Sequence, residues 1–347
     1  MKNALITGAT GQGGSHLSKL LLEKGYKVFG ACRRRGQGDL WRLQELGVLT
    51  SENFSLLEYD ATDLASSFRV VEISCPNEIY HLAAQTHVGR SFDLPVATAM
   101  VTGIGALNML EAMRKYAPAA RFLQASSAEL FGTTPMFPQS ESTPFKPCSP
   151  YGAAKLFAYS VAVNYFEAYG LFVSNAILFN YESNVRSTEF VTRKITTGVA
   201  DFVVHGKQPL LLGNLAAKRD WGAAREDVDG MWRILQARAP DTFVLATGRN
   251  ETVRTFVDIA YGTQGIRLEW QGSEQDERAL CRKTGKVLVA VDKRYFRPSD
   301  VPTLIGDASK AARELGWVPR ISLTEIIEEM VASDIHRAKS ATLSLKS

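Results

Sequence analysis

Short unbroken apolar runs alternate with segments of helical periodicity through the first half of the chain. NALIT (3–7), KVFGA (27–31), FSLLEYD (54–60), EIYHLAA (78–84) and RFLQASS (121–127) have the composition and length of buried strands. SHLSKLLLEKG (15–25) carries its apolar residues at helical spacing with Gly25 as a stop, and helical stretches follow around 63–74 and 97–116. Strand–helix alternation of this kind predicts an α/β fold, a Rossmann-like doubly wound parallel sheet whose ligands lie beyond the carboxyl ends of the strands. The later sequence loses that rhythm. LGWVP and the amphipathic LTEIIEEMVASDI (323–335) suggest a closing substructure and a packed terminal helix, so a smaller C-terminal lobe is expected.

The turn after the first strand, TGATGQGG, places Gly8, Gly11 and Gly14 in a GxxGxxG spacing. A strand-to-helix turn without Cβ atoms lets backbone approach a pyrophosphate, and the helix N-terminus then stabilises its charge. The second strand ends in Cys32-Arg33-Arg34-Arg35, with no carboxylate before Asp39. An NAD site would carry an acid here for the ribose hydroxyls, whereas arginines suit a 2′-phosphate, which points to NADP. Asp60 and Asp63 follow the third strand; either could meet the adenine edge, and Asp63 could equally cap the next helix.

Composition narrows the class. The chain has 347 residues, 45% hydrophobic and 22% charged, enough for two domains or one large domain with a lobe. A net charge of +4 is too small to argue for nucleic acid. Cys32, Cys75, Cys148 and Cys281 have no CxxC or paired spacing, so neither a disulfide framework nor a metal site is expected. MKNALITG runs straight into a strand, and no apolar run reaches the ~18 residues of a membrane span. A cytoplasmic protein is expected, with no membrane and no nucleic-acid partner.

Chemistry gathers around two stretches. In CSPYGAAKLFAYSVAVNYFEAYG (148–170), Ser149-Pro150 is a helix-start signal, and Tyr151 and Lys155 lie four apart on one helical face. An ammonium beneath a phenol favours the phenolate and lets it act as a base near neutrality. In ASSAELFG (125–132), a serine ends a strand and Glu129 follows at the edge of the buried sheet, where a carboxylate requires a partner or a role.

Together these motifs resemble the extended branch of the short-chain dehydrogenase/reductase superfamily, and within it the GDP-mannose 4,6-dehydratase family. The likeness spans nearly the whole chain, through TGATGQGG, LAAQTHV (82–88), QASSAELFG, SPYGAAKLFAY, ILFNYES, EFVTRKI (189–195), LGNLAAKRDWG (212–222) and RPSDVPTLIGD (297–307). It implies an NADP-dependent hydro-lyase that removes water from a GDP-sugar, GDP-mannose or GDP-manno-heptose, giving the 4-keto-6-deoxy sugar nucleotide. Ser127, Glu129, Tyr151 and Lys155 then correspond to the catalytic set. The cofactor would also meet Thr10, Gln12, Leu82, Ala84 and Gln85, besides the glycines, Arg33, Arg34 and Asp60. Asn180, Val191, Lys194 and Gly213 would face the GDP part, with Arg219, Arg297 and Asp300. Arg193 and Lys218 add to the scattered basic residues that a diphosphate requires. The resemblance further implies residues 1–180 as the NADP-binding domain, with parts of 215–262 returning to it, and 181–347 mainly as the substrate lobe. In the family, the RRRGQGDLWRL segment (33–43) reaches a neighbouring subunit, so a homo-oligomer, dimer or tetramer, is expected.

Three departures bear on the sugar. The usual GQDG is Gly11-Gln12-Gly13-Gly14 here, the threonine-serine-glutamate is Ser127-Ala128-Glu129, and Tyr181 and Asn184-Val185 replace a histidine and a proline-arginine pair. A related nucleotide-sugar reductase or epimerase is the alternative enzyme. It needs no carboxylate at position 129 and does not share LGNLAAKRDWG. A non-catalytic NADP sensor would be favoured by a broken serine–tyrosine–lysine set, and the set is intact.

Overall fold

A computed structural model describes residues 1–33, 40–207, 209–296, 301 and 303–344. The chain forms two compact units. The first comprises Met1–Phe179, Ala224–Gly248 and Gly306–Pro319; the second comprises Asn180–Ala223, Arg249–Ile305 and Arg320–Ser347.

The first unit is built on β1 (Asn3–Thr7), β2 (Lys27–Cys32), β3 (Phe54–Glu58), β4 (Glu78–His81), β5 (Arg121–Ser127) and β6 (Val173–Leu178). A seventh strand, Thr242–Leu245, completes the sheet, whose order is Thr242–Leu245, β6, β5, β4, β1, β2, β3. Every pairing is parallel. Inward of the edge strand β3 the strands are buried on both faces and can be apolar throughout, which is why they stand out as runs rather than alternations. Leu5, Ile79 and Phe122 from adjacent strands are wholly buried with Met109 and Leu110 of the crossover helix. The strand order reverses between β1 and β4, and such a switch point is where doubly wound sheets bind ligands.

Several boundaries differ from the sequence expectation, each for a local reason. β3 stops at Glu58 and β4 at His81, because Asp60 and Asp63 turn the chain in one case and the Leu82 amide is shared between the Thr7 hydroxyl and carbonyl in the other. The first helix runs from Gln12 to Glu23, starting inside the glycine motif. The helical stretch Pro95–Tyr116 is apolar enough in composition to span a membrane, though half of its most apolar window is buried within this unit. Its Gly103 and Gly105 lie against Phe157 and Ala61, which accounts for that composition by packing.

The second unit is mixed. Leu268–Gln271, Arg278–Cys281 and Val287–Val291 form an antiparallel meander that Leu210–Leu212 joins in parallel. Two short ribbons pair Asn180–Glu182 with Trp221–Ala223 and Lys218–Arg219 with Glu251–Thr252. Helices Val191–His205, Val253–Gly262 and Leu323–Ser344 cover a core that includes Ile195, Val199, Trp221, Phe256, Ile327 and Met330. The terminal helix continues nine residues beyond the amphipathic stretch that announces it, because nothing in its polar continuation stops a helix.

Candidate active site

Four segments leave the carboxyl ends of β1, β2, β4 and β5, and each begins with residues singled out by sequence. Gly8 follows β1, Arg33 follows β2, Leu82 follows β4, and Ser127 ends β5.

The glycine turn is shaped for close backbone approach. Gly8 has φ +71°, and a Cβ there would come within 3.0 Å of the Ala83 nitrogen. A Cβ on Gly14 would overlap the Gly8 carbonyl oxygen. Gly11 occupies the N-cap of the Gln12–Glu23 helix without a capping side chain, and no acid lies in the first turn. The positive end of that helix therefore faces the turn unneutralised. Across the switch point, the Gln85 nitrogen donates to the Thr102 hydroxyl at 3.1 Å and its side-chain amide to the His87 carbonyl at 3.2 Å. Its Oε1 is a buried acceptor with no partner among the described residues. Backbone cradle, helix end and unsatisfied acceptor together fit a dinucleotide with a pyrophosphate and ribose hydroxyls. Gly14→Ala should weaken dinucleotide binding at least about tenfold and lower stability by about 1–3 kcal/mol through overpacking, which calorimetric titration and thermal unfolding will report.

Arg33 is exposed at the end of β2, while Arg34 lies outside the described residues. The Thr62 amide (2.9 Å) and hydroxyl (2.8 Å), both donating to Oδ1, hold the Asp60 carboxyl below the usual carboxylate range, and the charge of Arg33 adds to them. Asp60 thus spends Oδ1 within its own turn. Asp63 caps the Leu64–Ser74 helix, accepting from the Ala65 and Ser66 amides at 3.0 and 3.1 Å.

The catalytic candidates come from β5, its following turn and the Pro150–Tyr169 helix. Ser149 starts that helix as predicted, its Oγ accepting from the Gly152 amide at 3.0 Å with Pro150 in the first turn. A Cβ on Gly152 would be 2.8 Å from the Glu129 carbonyl oxygen, so the glycine lets the start of this helix close on the Ala128–Leu130 turn. Tyr151 therefore stands beside the segment carrying Ser127 and Glu129. Ser127 Oγ accepts from the Glu129 amide at 3.2 Å, which fixes the serine and leaves its own proton to donate. Glu129 is half-buried, and Tyr151 is buried. Lys155 is buried, and its Nζ donates to the Ala125 carbonyl on β5 at 2.6 Å and lies 5.9 Å from the Tyr151 ring centroid. Burial lowers the Lys155 pKa to about 8. All four thus lie on adjoining parts of one framework.

In the second unit, Val191 begins the Val191–His205 helix, and Lys194, one turn on, sets its ammonium over the Tyr295 ring, 3.2 Å from the centroid. A Cβ on Gly213 would be 2.5 Å from the Tyr295 carbonyl oxygen. Lys194 and Gly213 are thereby brought together by Tyr295, which sequence reading did not single out; its only signal is its place just before the RPSDV motif. Asn180 pairs in register with Trp221, and Arg219, buried, pairs with Glu251. Arg297 and Asp300 lie outside the described residues. Arg193 departs from the expected diphosphate grip. It is buried in an ion pair with Asp334 at 2.7 Å, and donates to the Asn184 and Arg186 carbonyls at 2.6 and 2.9 Å. Its charge is committed to tying the 184–186 loop to the terminal helix.

Comparison with known proteins identifies the family. The model of a family described as GDP-mannose 4,6 dehydratase matches residues 5–330. The chain is 48% identical over 341 residues to GDP-mannose 4,6 dehydratase 2 of Caenorhabditis elegans, covering 96% of this chain and 89% of that protein. It is 48% identical over 339 residues to the GDP-mannose 4,6-dehydratase of Sinorhizobium fredii, covering 96% and 97% respectively. Among solved structures, the dTDP-glucose 4,6-dehydratase of Bacillus anthracis in complex with NAD has a TM-score of 0.80 at 20% identity, covering 98% of each chain. At that identity the last likeness concerns the fold.

Proposed function

The chain belongs to the GDP-mannose 4,6-dehydratase family, and from that membership we propose the chemistry its own residues perform. It is a hydro-lyase that dehydrates a GDP-sugar, GDP-mannose or GDP-manno-heptose, across positions 5 and 6 with a nicotinamide dinucleotide as cofactor. The observation that carries the reading is the packing of the Glu129 turn on the Tyr151–Lys155 helix, made possible by Gly152. A simple dehydrogenase needs no carboxylate there.

The cofactor, when bound, supplies a hydride acceptor for position 4 of the sugar and a hydride donor for position 6. Tyr151 takes the proton of the 4-hydroxyl, with the Lys155 ammonium favouring its phenolate. Ser127 donates its remaining proton to the reacting oxygen. The ketone so formed acidifies the 5-hydrogen; Glu129 removes it as a proton and delivers it to the 6-hydroxyl, which departs as water, while position 5 is reprotonated from solvent, which takes up the 4-hydroxyl proton from Tyr151. The first unit holds the dinucleotide through Gly8, Thr10, Gly11, Gln12 and Gly14, with Leu82, Ala84 and Gln85 across the switch point. Asn180, Val191, Lys194, Gly213 and Arg219 of the second unit, with Arg297 and Asp300, serve the GDP part. Incubation with GDP-mannose and GDP-manno-heptose should give products lighter by one water by mass spectrometry; the absence of that loss from every GDP-sugar would reject the assignment.

The cofactor is NADP rather than NAD, on the strength of Arg33 and its neighbour Arg34 where an acid would serve NAD. A charge-assisted contact to the 2′-phosphate is worth roughly 1.5–3 kcal/mol, so Arg33→Ala should weaken NADP⁺ binding while sparing NAD⁺. Equal affinities of the wild type for both cofactors would remove this assignment.

The working form is a homo-oligomer. The packed helices Pro95–Tyr116 and Pro150–Tyr169 leave Val96, Met100, Phe157, Phe166 and Tyr169 exposed, and a second copy of the chain would cover them. Light scattering should find a dimer or tetramer, and Val96→Glu with Met100→Glu should shift it towards monomer; a strictly monomeric wild type contradicts the proposal. The four cysteines, all free, suit a reducing compartment, and we place the reaction in the cytoplasm.

A further inference from the structure

Thr7, the last residue of β1, is wholly buried and holds the start of the segment that follows β4. Its Oγ1 accepts from the Leu82 amide at 3.1 Å and from the Ala83 amide at 3.1 Å. The same oxygen lies 3.0 Å from Nδ1 of His81, itself buried and directly opposite Thr7 in the parallel register. A hydroxyl has two acceptor sites and one proton. Both acceptor sites face backbone amides, so the proton is left to donate to Nδ1. His81 is therefore neutral, with its own proton on Nε2.

The neutral state of the ring is reinforced by its surroundings. The imidazole stacks on Phe122 with centroids 6.0 Å apart and planes inclined by 22°. Burial, joined by the nearby charge of Lys155, keeps the ring neutral down to about pH 3. Nε2 is buried without a partner among the described residues, so the tautomer is set at Nδ1 by the Thr7 hydroxyl. A protonated ring would turn Nδ1–H against an oxygen whose lone pairs are already engaged.

The segment held in this way is the one against which Gly8 packs, the Ala83 nitrogen and Leu82 carbonyl carbon lying 3.0 and 3.1 Å from where a Gly8 Cβ would be. We propose that His81 is a positioning residue for the dinucleotide: its Nδ1 sets the Thr7 hydroxyl rotor, and the hydroxyl fixes the spacing between the glycine turn and the Leu82–Gln85 segment. The inference rests on the cofactor reading above and adds to it a residue that need not touch the cofactor. His81 organises the cradle before ligand arrives, so its removal costs binding by loosening rather than by losing a contact.

The test combines a spectroscopic signature with a binding cycle. With ¹⁵N-labelled histidine, the wild-type His81 signals, assigned as those that persist when His16, His87, His205 and His336 are replaced in turn by Gln, should report a protonated Nε2 and an unprotonated, hydrogen-bonded Nδ1. Thr7→Val and His81→Phe should each raise the NADP⁺ dissociation constant about tenfold by calorimetry. The double variant should be no weaker than the weaker single, because both remove one device. Thr7→Ser, which keeps the hydroxyl, should bind nearly as the wild type does. A proton on Nδ1 in the wild type, unaltered NADP⁺ affinity in soluble His81→Phe, or losses that multiply in the double variant would each overturn the proposal. If the variants do not fold, the wild-type tautomer still decides. Failure of the cofactor reading has its own signature: the wild type binds no NADP⁺ whatever its tautomer, and the positioning role falls with it.

Discussion

Glu129→Gln should arrest the reaction after its first oxidation. The substitution keeps the shape of a half-buried side chain, and the backbone that places it is held independently by Ser127 Oγ and by the close approach of Gly152. Tyr151 and Lys155 are untouched, so removal of the 4-hydroxyl proton should proceed. A neutral amide cannot accept the proton from position 5. Losing a positioned general base costs about 10²–10⁴-fold in rate, and dehydration should fall by at least the lower figure. Stopped-flow absorbance should show reduced nicotinamide accumulating on the enzyme, and quenched samples should contain a 4-keto sugar with its 6-hydroxyl intact. In deuterated water the wild-type product should carry deuterium at position 5, whereas the variant should form little product to carry it. Dehydration by Glu129→Gln at the wild-type rate would make the glutamate a structural residue that merely opens the turn after β5.

Where function depends on local chemistry, the sequence was legible. β5 occupies 121–127 as its run indicates, because in a strand covered on both faces Phe122, Leu123 and Ala125 stand out even with the buried Gln124 among them. Ser149-Pro150 announces the helix of Tyr151 and Lys155, since capping involves only neighbouring residues. The parallel sheet follows from alternation, whereas its strand order, and with it the switch point, does not. What could not be read depends on distant partners. Arg193 has the composition of a phosphate ligand until Asp334, far along the chain, is found against it. Tyr295 gains its place only when Gly213 and Lys194 fold against it. The two-residue ribbon Lys218–Arg219 with Glu251–Thr252 is too short for any periodicity to register. Thr7 and His81 look like ordinary strand ends, and their joint role emerges only from the register that sets them side by side.

Lys155→Met should abolish turnover and at the same time stabilise the protein. Lys155 is buried with a pKa lowered to about 8 by desolvation, against 10.5 for the ordinary side chain. The folded state therefore releases this proton more readily than the unfolded chain does. Between about pH 8 and 10.5 the unfolded chain binds more protons, so wild-type stability from this group rises with pH across that window. Below pH 8 both states are protonated, and the folded protein bears the full cost of a buried ammonium, roughly 3 kcal/mol at 1.36 kcal/mol per pKa unit. Methionine fills a similar volume without the charge. The Ala125 carbonyl that Lys155 occupies keeps a second donor, the Gln124 side-chain amide at 3.1 Å, so the substitution leaves no buried acceptor unpaired. Chemical denaturation at pH 7 should then show Lys155→Met more stable than the wild type by about 1–3 kcal/mol, with the difference shrinking towards pH 10. Turnover should fall at least about 10²-fold, because the Tyr151 phenolate loses the cation that favours it. Equal stability at pH 7, or a difference that grows with pH, would show that Lys155 is not strained by its burial. Reduced stability with full activity would remove it from the catalytic set. The expected combination, a gain in stability with a loss of turnover, is that of a charge retained in the core for the reaction rather than for the fold.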